Sequence, residues 1–170
     1  MNSKMLIDGY NVIFAHPLWK NLELVEAREM LIKEAINHSS FFDGMIIIVF
    51  DGSKKENSFG EKVNRSGVEV IFTVHGEKAD SYIERLVYKE TEALIYVVTA
   101  DYEEQKVVFA QGAFRKTPLE FFLDIENNKN IAESFNESND KKNHIFLEDM
   151  LDEETRRKLH EMIKAMQEDF

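Results

Sequence analysis

The chain has 170 residues, of which 44% are hydrophobic and 31% are charged, a composition typical of a folded soluble domain. Its formal net charge is −11, so bulk electrostatic attraction does not favour nucleic acid, and any such contact must be local. The sequence contains no cysteine, which excludes disulfides, a thiol nucleophile, cysteine-bound zinc and iron–sulfur clusters. Carboxylates and histidines remain as the strong metal ligands.

The N-terminal segment is apolar only in short runs. Asp8 and Asn11 interrupt it, so the sequence predicts neither a signal peptide nor a membrane-spanning helix there, and none is predicted elsewhere. We therefore expect a cytoplasmic protein.

Predicted strands and helices alternate along the first part of the chain. Short apolar runs predict strands, apolar positions three and four residues apart predict a helix, and a polar stretch predicts a loop. In chain order these are a strand at Met5–Ile7, a helix at Leu22–Ile36, a strand at Met45–Phe50, a loop at Ser53–Ser66 and a strand at Val68–Phe72.

The alternation continues in the second part. The pattern predicts a helix at Ala79–Lys89, a strand at Leu94–Val98 and a helix at Tyr102–Ala110, although the apolar residues at 107–109 would also suit a strand. Thr117, Pro118 and Glu120 have the spacing of a capping box and predict a helix that runs to about Glu126.

The C-terminal part differs in composition. Residues 127–143 are rich in Asn, Ser, Asp and Lys, which predicts a polar linker or long surface loop. An apolar stripe between Leu147 and Met166 then predicts an amphipathic helix. The expected organisation is therefore an α/β domain at 1–126, the linker at 127–143 and a C-terminal helix at 144–170.

Four aspartates occupy positions that the alternating pattern would bring together. Alternating strands and helices predict a mostly parallel sheet, which binds ligands beyond the carboxyl ends of its strands. Asp8, Asp51 and Asp101 each follow a predicted strand, and Asp80 lies in the first turn of a helix. Crowded carboxylates raise one another's pKa unless a cation lies between them, so the pattern predicts a divalent ion. Oxygen-only ligands favour Mg²⁺ or Mn²⁺ over zinc.

Simpler explanations exist for the single residues. Aspartate is a common turn residue, so the prediction depends on the joint pattern and not on any one position. Asp51 in particular could support a second ion or simply end its turn. The five histidines show no HxH or HExxH spacing, and none is predicted to be a metal ligand or general base.

Several sequence blocks together resemble a known family. They are Ile7–Ile13, Val49–Gly52, Gly76–Leu86, Thr99–Gln105 and, extending the match, Gln111–Arg115. They are similar to the NYN branch of the PIN-like nucleases, and more closely to the YacP-like proteins of Gram-positive bacteria, some of which are ribosome-associated mRNA endoribonucleases. The chain departs from the usual pattern at Ala100, where serine is frequent, and at Gly52, where alanine is frequent.

The resemblance implies a PIN-like three-layer α/β/α fold and a metal-dependent phosphodiesterase site. Asp8, Asp80 and Asp101 would form that site, with Asn11 and Asp51 nearby. Asp8 and Asp101 would be the first metal ligands, and Asp80 would complete the ligand set or orient the water. Asn11 would hold a carboxylate or a substrate phosphate. Carboxylate-bound magnesium supplies the chemistry that RNA hydrolysis needs.

Local basic clusters are the candidate RNA contacts. They comprise Lys54, Lys55, Lys62, Arg65, Arg115 and Lys116. We favour the two arginines, because a guanidinium group can bind a phosphate through two hydrogen bonds. Tyr10, Phe59 and Tyr102 could stack on unpaired bases, or could pack against the sheet as aromatic residues at strand ends usually do.

Two functions of different classes remain open at this point. The leading expectation is an endoribonuclease that uses Mg²⁺ or Mn²⁺ and acts on mRNA, with the ribosome as a further partner. The alternative is a non-catalytic module that binds RNA or the ribosome on the same fold. A phosphatase is less consistent with the sequence, because Asp8-Gly9-Tyr10 lacks the DxD spacing of aspartyl-phosphate enzymes.

Overall fold

The computed structural model of the chain describes residues 3–52, 60–102, 110 and 112–150, with side chains described up to residue 134. Within these residues the strands are β1 (Ser3–Asp8), β2 (Met45–Phe50), β3 (Glu61–Arg65), β4 (Val68–Phe72), β5 (Leu94–Val98) and β6 (Phe114–Lys116). The helices are α1 (Gly9–Ala15), α2 (Leu24–Ser39), α3 (Ala79–Lys89) and α4 (Pro118–Met150), with a 3-10 turn at Trp19–Asn21.

The described strands form one mixed sheet in the order β3-β4-β2-β1-β5-β6. All neighbouring pairs are parallel except the hairpin of β3 and β4, which is antiparallel. From β1 the chain crosses first to β2 on one side and later to β5 on the other. The carboxyl ends of β1 and β5 therefore flank the point where the strand order reverses, which is the usual ligand site of open α/β sheets.

Both faces of the sheet are covered by helices. On one face, Ile7 and Ile48 belong to a buried cluster that includes residues of α1, α2 and the first turns of α4. On the other face, Leu6 and Val97 pack in a second cluster with the apolar side of α3. The alternation of side chains along each strand divides the core into these two parts. The predicted three-layer α/β/α architecture is confirmed.

The strands predicted from apolar runs are confirmed, but one α-helix and two strands were not predicted. Helix α1 follows Asp8 directly and is only seven residues long. Strand β3 lies inside the predicted loop Ser53–Ser66 and has one apolar residue, Val63, among charged and polar ones. It is an edge strand, where charged side chains prevent pairing with another chain. These charged side chains also hide the usual alternation of apolar and polar residues. Strand β6 has only three residues, too few to show a pattern.

The start of α4 follows the sequence prediction closely. Thr117 Oγ1 accepts the backbone N–H of Glu120 at 3.2 Å, and Glu120 Oε2 accepts the backbone N–H of Thr117 at 2.7 Å. This reciprocal pair is the predicted capping box. Phe121 and Ile125, four residues apart, then bury one side of the helix in the core.

The predicted linker at 127–143 is wrong as an assignment of local structure, because these residues are helical and α4 continues to Met150. Neither glycine nor proline follows Pro118 in the sequence, so no residue strongly breaks the helix. Asn and Ser lower helix propensity by only a few tenths of a kcal/mol each, and polar composition therefore did not decide the backbone conformation.

The chain divides into two compact units, residues 1–128 and 129–170. The predicted C-terminal helix lies largely outside the described residues, as does most of the predicted helix Tyr102–Ala110. Among the helices of the described part, none has the length and apolar character needed to cross a membrane.

Candidate active site

Asp8 stands at the junction of β1 and α1. Its carboxylate accepts the backbone N–H of Asn11 at 3.0 Å and so caps the N-terminus of α1. Glycine fits at position 9, because a Cβ atom there would lie 2.2 Å from the ring of Phe50. Asp8 thus lies at the carboxyl end of β1, an inner strand of the sheet.

Asn11 ties Asp8 to the segment that follows β5. Its Oδ1 atom accepts the backbone N–H of Ala100 at 2.7 Å. In the same segment Thr99 Oγ1 accepts the backbone N–H of Asp101 at 3.1 Å, and the Thr99 side chain is fully buried. The position of Asp101 is thus set from both sides, by an α1 side chain and by a buried hydroxyl.

Asp51 reaches from the end of β2 to the start of α3. Its Oδ1 atom accepts the backbone N–H of Ala79 at 2.5 Å, whereas the N-cap residue Lys78 makes no side-chain capping bond. Asp51 therefore caps α3 from a distant part of the chain. The sequence pattern predicts only a second ion or a simple turn at Asp51, so this structural role comes from the tertiary structure alone.

A buried hydroxyl joins the same two segments. Thr73 Oγ1 accepts the backbone N–H of Gly52 at 2.8 Å and donates to the carbonyl oxygen of Glu77 at 2.6 Å. A Cβ atom on Gly52 would lie 1.8 Å from the Thr73 carbonyl oxygen. Glycine at position 52 is thus required by this close contact.

The fourth aspartate lies on α3. One carboxylate oxygen of Asp80 accepts the backbone N–H of its neighbour Ser81 at 2.6 Å. Its place in the first turn is favourable, because the N-terminus of a helix stabilises negative charge.

These separate segments converge on one cleft of about 200 Å³ at the carboxyl edge of the sheet. The lining residues are Asp8, Asp51, Asp80, Asp101, Lys78 and Ala79. All four aspartates singled out in the sequence are therefore brought together, and the sheet places them where the strand order reverses.

The pKa of Asp8 reflects its burial and the negative charges of the cleft. Burial raises the pKa of this carboxyl to about 6, and the charges of Asp51, Asp80 and Asp101 act in the same direction, while the Asn11 N–H opposes them. The four carboxylates are close enough to repel one another, so the cleft favours a compensating positive charge.

Comparison with known proteins shows the family to which the chain belongs. Residues 5–164 match the YacP-like NYN domain. The chain is a member of this family. It is 38% identical over 127 residues to the uncharacterized protein YacP of Bacillus subtilis (strain 168), covering 72% of this chain and 74% of that protein.

The fold of the chain is similar to that of two solved structures of the YacP-like family. One is Rae1 (YacP) from Bacillus subtilis, with a TM-score of 0.68 and 32% identity over 99% of this chain and 97% of that one. The other is a mutant form of the same Bacillus subtilis protein, with a TM-score of 0.65 and 35% identity over 78% and 79% of the two chains. The fold is therefore PIN-like, and family membership supports a nuclease-like function related to RNA.

The donor set of the cleft suits a hard divalent cation, because it consists of carboxylate oxygens. Asp8, Asp51 and Asp80 each use one oxygen to accept a backbone N–H, which leaves a second oxygen on each side chain. Within the described residues, no group of three or more such side chains is already arranged to hold a metal ion. An ion would therefore have to draw the carboxylates closer together.

The predicted RNA contacts fall at different edges of the sheet. Arg65 pairs with Val68 at the first residue of β4, which is roughly 13 Å along the strand from its carboxyl end. It forms an ion pair with Glu29 at 3.0 Å. Lys62 pairs with Ile71 near the carboxyl end and contacts Glu69 at 2.8 Å. Arg65 is thus separated from the cleft, whereas Lys62 is nearer to that edge.

Strand β6 carries two further candidates toward the carboxyl edge. Arg115 and Lys116 lie beside the last two residues of β5, Val97 and Val98. The Lys116 ammonium forms an ion pair with Asp124 of α4 and lines a separate cavity. Lys54 and Lys55 lie outside the described residues. Arg115 is therefore the predicted arginine whose strand position fits a contact near the cleft.

The aromatic residues that could stack on RNA bases differ in their surroundings. Tyr10 packs edge-on against Phe50 at 5.1 Å between ring centroids, in agreement with the packing alternative. Tyr102 is 66% exposed next to Asp101, so its ring remains a candidate for base stacking. Phe59 lies outside the described residues.

Two histidines have structural roles. His16 Nδ1 accepts the backbone N–H groups of Leu18 and Trp19, each at 3.2 Å, and His38 Nδ1 contacts the Asn128 amide at 2.7 Å. Burial lowers the pKa of both imidazoles.

One residue of the cleft was not predicted from the sequence. Lys78 directly precedes the predicted helix Ala79–Lys89, yet it lines the cleft with the four aspartates. The signals in the sequence were its position directly before the helix that carries Asp80 and its place in the block Gly76–Leu86. A lysine in a polar turn is common, however, so these signals did not distinguish it from ordinary surface charge.

Proposed function

We propose that the protein is an endoribonuclease that depends on a divalent metal ion, Mg²⁺ or Mn²⁺, and hydrolyses phosphodiester bonds in mRNA. The observation that carries this proposal is the convergence of four aspartates, from four separate segments, on one cleft at the reversal point of the sheet. The resemblance to ribosome-associated YacP-like enzymes extends the proposal to mRNA on the ribosome.

Each aspartate has a distinct part in this proposal. Asp8 and Asp101 would hold the ion, because they flank the reversal point and Asn11 fixes their relative position. When bound, such an ion polarises a phosphoryl oxygen and lowers the pKa of water. Asp51 would act mainly by holding α3, and with it Asp80, against the end of β2.

Asp80 is the proposed residue for water activation. Its Oδ1 atom is engaged by Ser81, so the second oxygen would orient the attacking water and accept its proton. The water oxygen would form a bond to phosphorus while the bond to the leaving sugar oxygen breaks, and that oxygen would take up a proton from solvent water. The products would be one phosphomonoester end and one hydroxyl end, and no covalent intermediate with the protein is required.

The test compares Asp80→Asn with the matched control Asp43→Asn. Asp43 is an exposed aspartate just before β2, at the opposite edge of the sheet. RNA cleavage is measured with Mg²⁺, Mn²⁺ or EDTA, with and without ribosomes. We expect Asp80→Asn to lower cleavage by orders of magnitude with equal or tighter RNA binding, because it removes charge but preserves shape. Asp43→Asn should match the wild type.

The same assay can contradict the proposal in two ways. Unchanged cleavage by Asp80→Asn would exclude that residue from the reaction. RNA binding by the wild type without cleavage under any metal or ribosome condition would favour the non-catalytic RNA- or ribosome-binding module instead.

A further inference from the structure

A single basic residue lies among the carboxylates of the candidate active site. Of the described residues that line the cleft, four are aspartates, one is Ala79 and one is Lys78. A phosphodiester that enters such a cleft is repelled by the carboxylates that line it. An ammonium group on the wall offsets part of this repulsion at short range, where salt screening is weakest.

The backbone of Lys78 is held firmly although its side chain is exposed. The Lys78 carbonyl oxygen accepts the first helical hydrogen bond of α3, from Tyr82 N–H at 3.1 Å. The next residue, Ala79, donates its N–H to Asp51. The residue before it, Glu77, is held through its carbonyl oxygen by Thr73. Hydrogen bonds therefore fix the backbone of Lys78 at the side of the cleft, while its long side chain is exposed to solvent.

The neighbouring charged side chains already have an ion-pair or hydrogen-bond partner. Glu77 forms an ion pair with Arg85, and Arg85 also lies over the ring of Tyr82 at 4.7 Å. Asp51 accepts from Ala79, and Asp80 accepts from Ser81. In the part of the chain that the structure describes, Lys78 has no ion-pair partner and caps no helix with its side chain. No side-chain contact in that part gives it a structural role.

We propose that Lys78 binds the substrate phosphate, with its ammonium group on a non-bridging oxygen of the phosphodiester that enters the cleft. This inference rests on the proposed function and adds to it a residue that binds the substrate directly. A lysine ammonium carries three donors and acts as a point charge, which suits a phosphate of variable orientation. The contact is independent of base identity, so it contributes affinity and position without sequence preference.

The test uses Lys78→Gln and Lys78→Arg, with Lys89→Gln as the matched control. Lys89 is an exposed lysine in the last turn of the same helix, roughly 16 Å from Lys78 by the rise of the helix. Because Lys78 makes no side-chain capping bond, its replacement should leave the thermal midpoint close to that of the wild type. Equal midpoints in the three variants establish that differences in binding are not differences in folding.

Two measurements separate binding from chemistry. Equilibrium binding of a fluorescent single-stranded RNA is followed in EDTA across a salt titration, and kcat and KM for cleavage are measured with Mg²⁺. We expect Lys78→Gln to weaken binding and raise KM by about tenfold, as for loss of one charge-assisted hydrogen bond. The slope of log K against log salt should fall by about 0.7, the value for one phosphate contact on a single strand.

The two other variants test whether the effect depends on the charge and on the position of the lysine. Lys78→Arg should retain most of the affinity because it keeps the charge, and Lys89→Gln should change neither KM nor the salt slope. If Lys78→Gln behaves like Lys89→Gln in both measurements, the inference is wrong.

Failure of the proposed function gives a different result. In that case the wild type does not cleave RNA, yet the EDTA binding measurement still reports on Lys78. Loss of affinity and salt slope in Lys78→Gln would then support the phosphate contact on a protein that only binds RNA.

Discussion

The side chain of Asn11 and the backbone of Ala100 form a 2.7 Å hydrogen bond between residues 89 positions apart in the chain. The bond joins the first helix to the segment that follows β5, so it sets the position of Asp101 relative to Asp8. From the sequence, Asn11 was expected to contact a carboxylate or a phosphate. In the structure its backbone N–H binds the Asp8 carboxylate, while its side chain binds a backbone amide.

We expect Asn11→Ala to lower metal affinity and RNA cleavage more than it lowers stability. The lost hydrogen bond is worth about 1 kcal/mol of unfolding free energy, but the released segment carries Asp101. Asn64→Ala is the control, because Asn64 Oδ1 accepts the backbone N–H of Gly67 at 3.2 Å in the β3–β4 hairpin. Urea unfolding and Mn²⁺ titration of both variants check this. Equal metal affinity in the two would contradict the positioning role.

The cap that Asp51 provides to α3 can be separated from a role in metal binding. Asp51→Asn keeps an oxygen that can accept the Ala79 N–H and removes one carboxylate charge from the cleft, so its stability should be no lower than that of the wild type. Asp51→Ala removes the cap and should lower the unfolding free energy by about 1 kcal/mol. If Asp51 also binds metal, Asp51→Asn should lose Mg²⁺ affinity despite its normal stability, and an unchanged affinity would limit Asp51 to the cap.

The raised pKa of Asp8 predicts that, without a bound metal ion, ionisation of this carboxyl lowers the stability of the folded protein. The pKa is about 6 in the folded protein against 3.8 for an ordinary aspartate, so between these values the folded state retains a proton that the unfolded state has lost. The unfolding free energy therefore falls as pH rises from about 4 to 6, by up to about 3 kcal/mol. Above that range the penalty from this group is constant.

Replacement of Asp8 by Asn tests this pH dependence. Asparagine cannot ionise but can still accept the Asn11 N–H, so Asp8→Asn should be more stable than the wild type at about pH 7.5 in EDTA. The difference between the two proteins should shrink towards about pH 4. Urea unfolding at several pH values measures it, and parallel curves for the two proteins would contradict the assigned pKa shift.

Addition of Mg²⁺ or Mn²⁺ should raise the thermal midpoint of the wild type, because a ligand that binds only the folded state stabilises it by mass action. The shift should be absent in the double variant Asp8→Asn/Asp101→Asn, which lacks two of the four carboxylate charges. Differential scanning fluorimetry with metal titration checks both. A shift of equal size in the double variant would place the ion elsewhere.

The two arginines proposed as RNA contacts should now behave differently. Arg115 lies beside the carboxyl half of β5, whereas Arg65 lies at the amino end of β4 and pairs with Glu29. We expect Arg115→Ala to weaken RNA binding several-fold and to reduce its salt dependence. Arg65→Ala should have a smaller effect. Gel-shift titrations at several salt concentrations compare them, and a larger loss for Arg65→Ala would reject the cleft as the route of the RNA.

Much of the fold was predictable because local interactions leave local patterns. The unbroken apolar run Met45–Phe50 matches β2, and the spacing of Thr117 and Glu120 matches the capping box of α4. Prediction failed where the local signal was weak. The polar residues 127–143 lack a helix breaker and are helical, and the charged strand β3 lacks the apolar alternation of a half-buried strand.

The sequence by itself determined that four aspartates follow strands or open a helix, and hence that they share one edge of a parallel sheet. It also carried the family resemblance. Only the tertiary structure decided which polar groups meet there. The bonds from Asn11 to Ala100 and from Asp51 to Ala79 join residues 89 and 28 positions apart. Such partners depend on strand order and register, which residue spacing does not encode. For the same reason Lys78 lies in the cleft and Arg65 lies at the opposite edge, although both are simply exposed basic residues in the sequence.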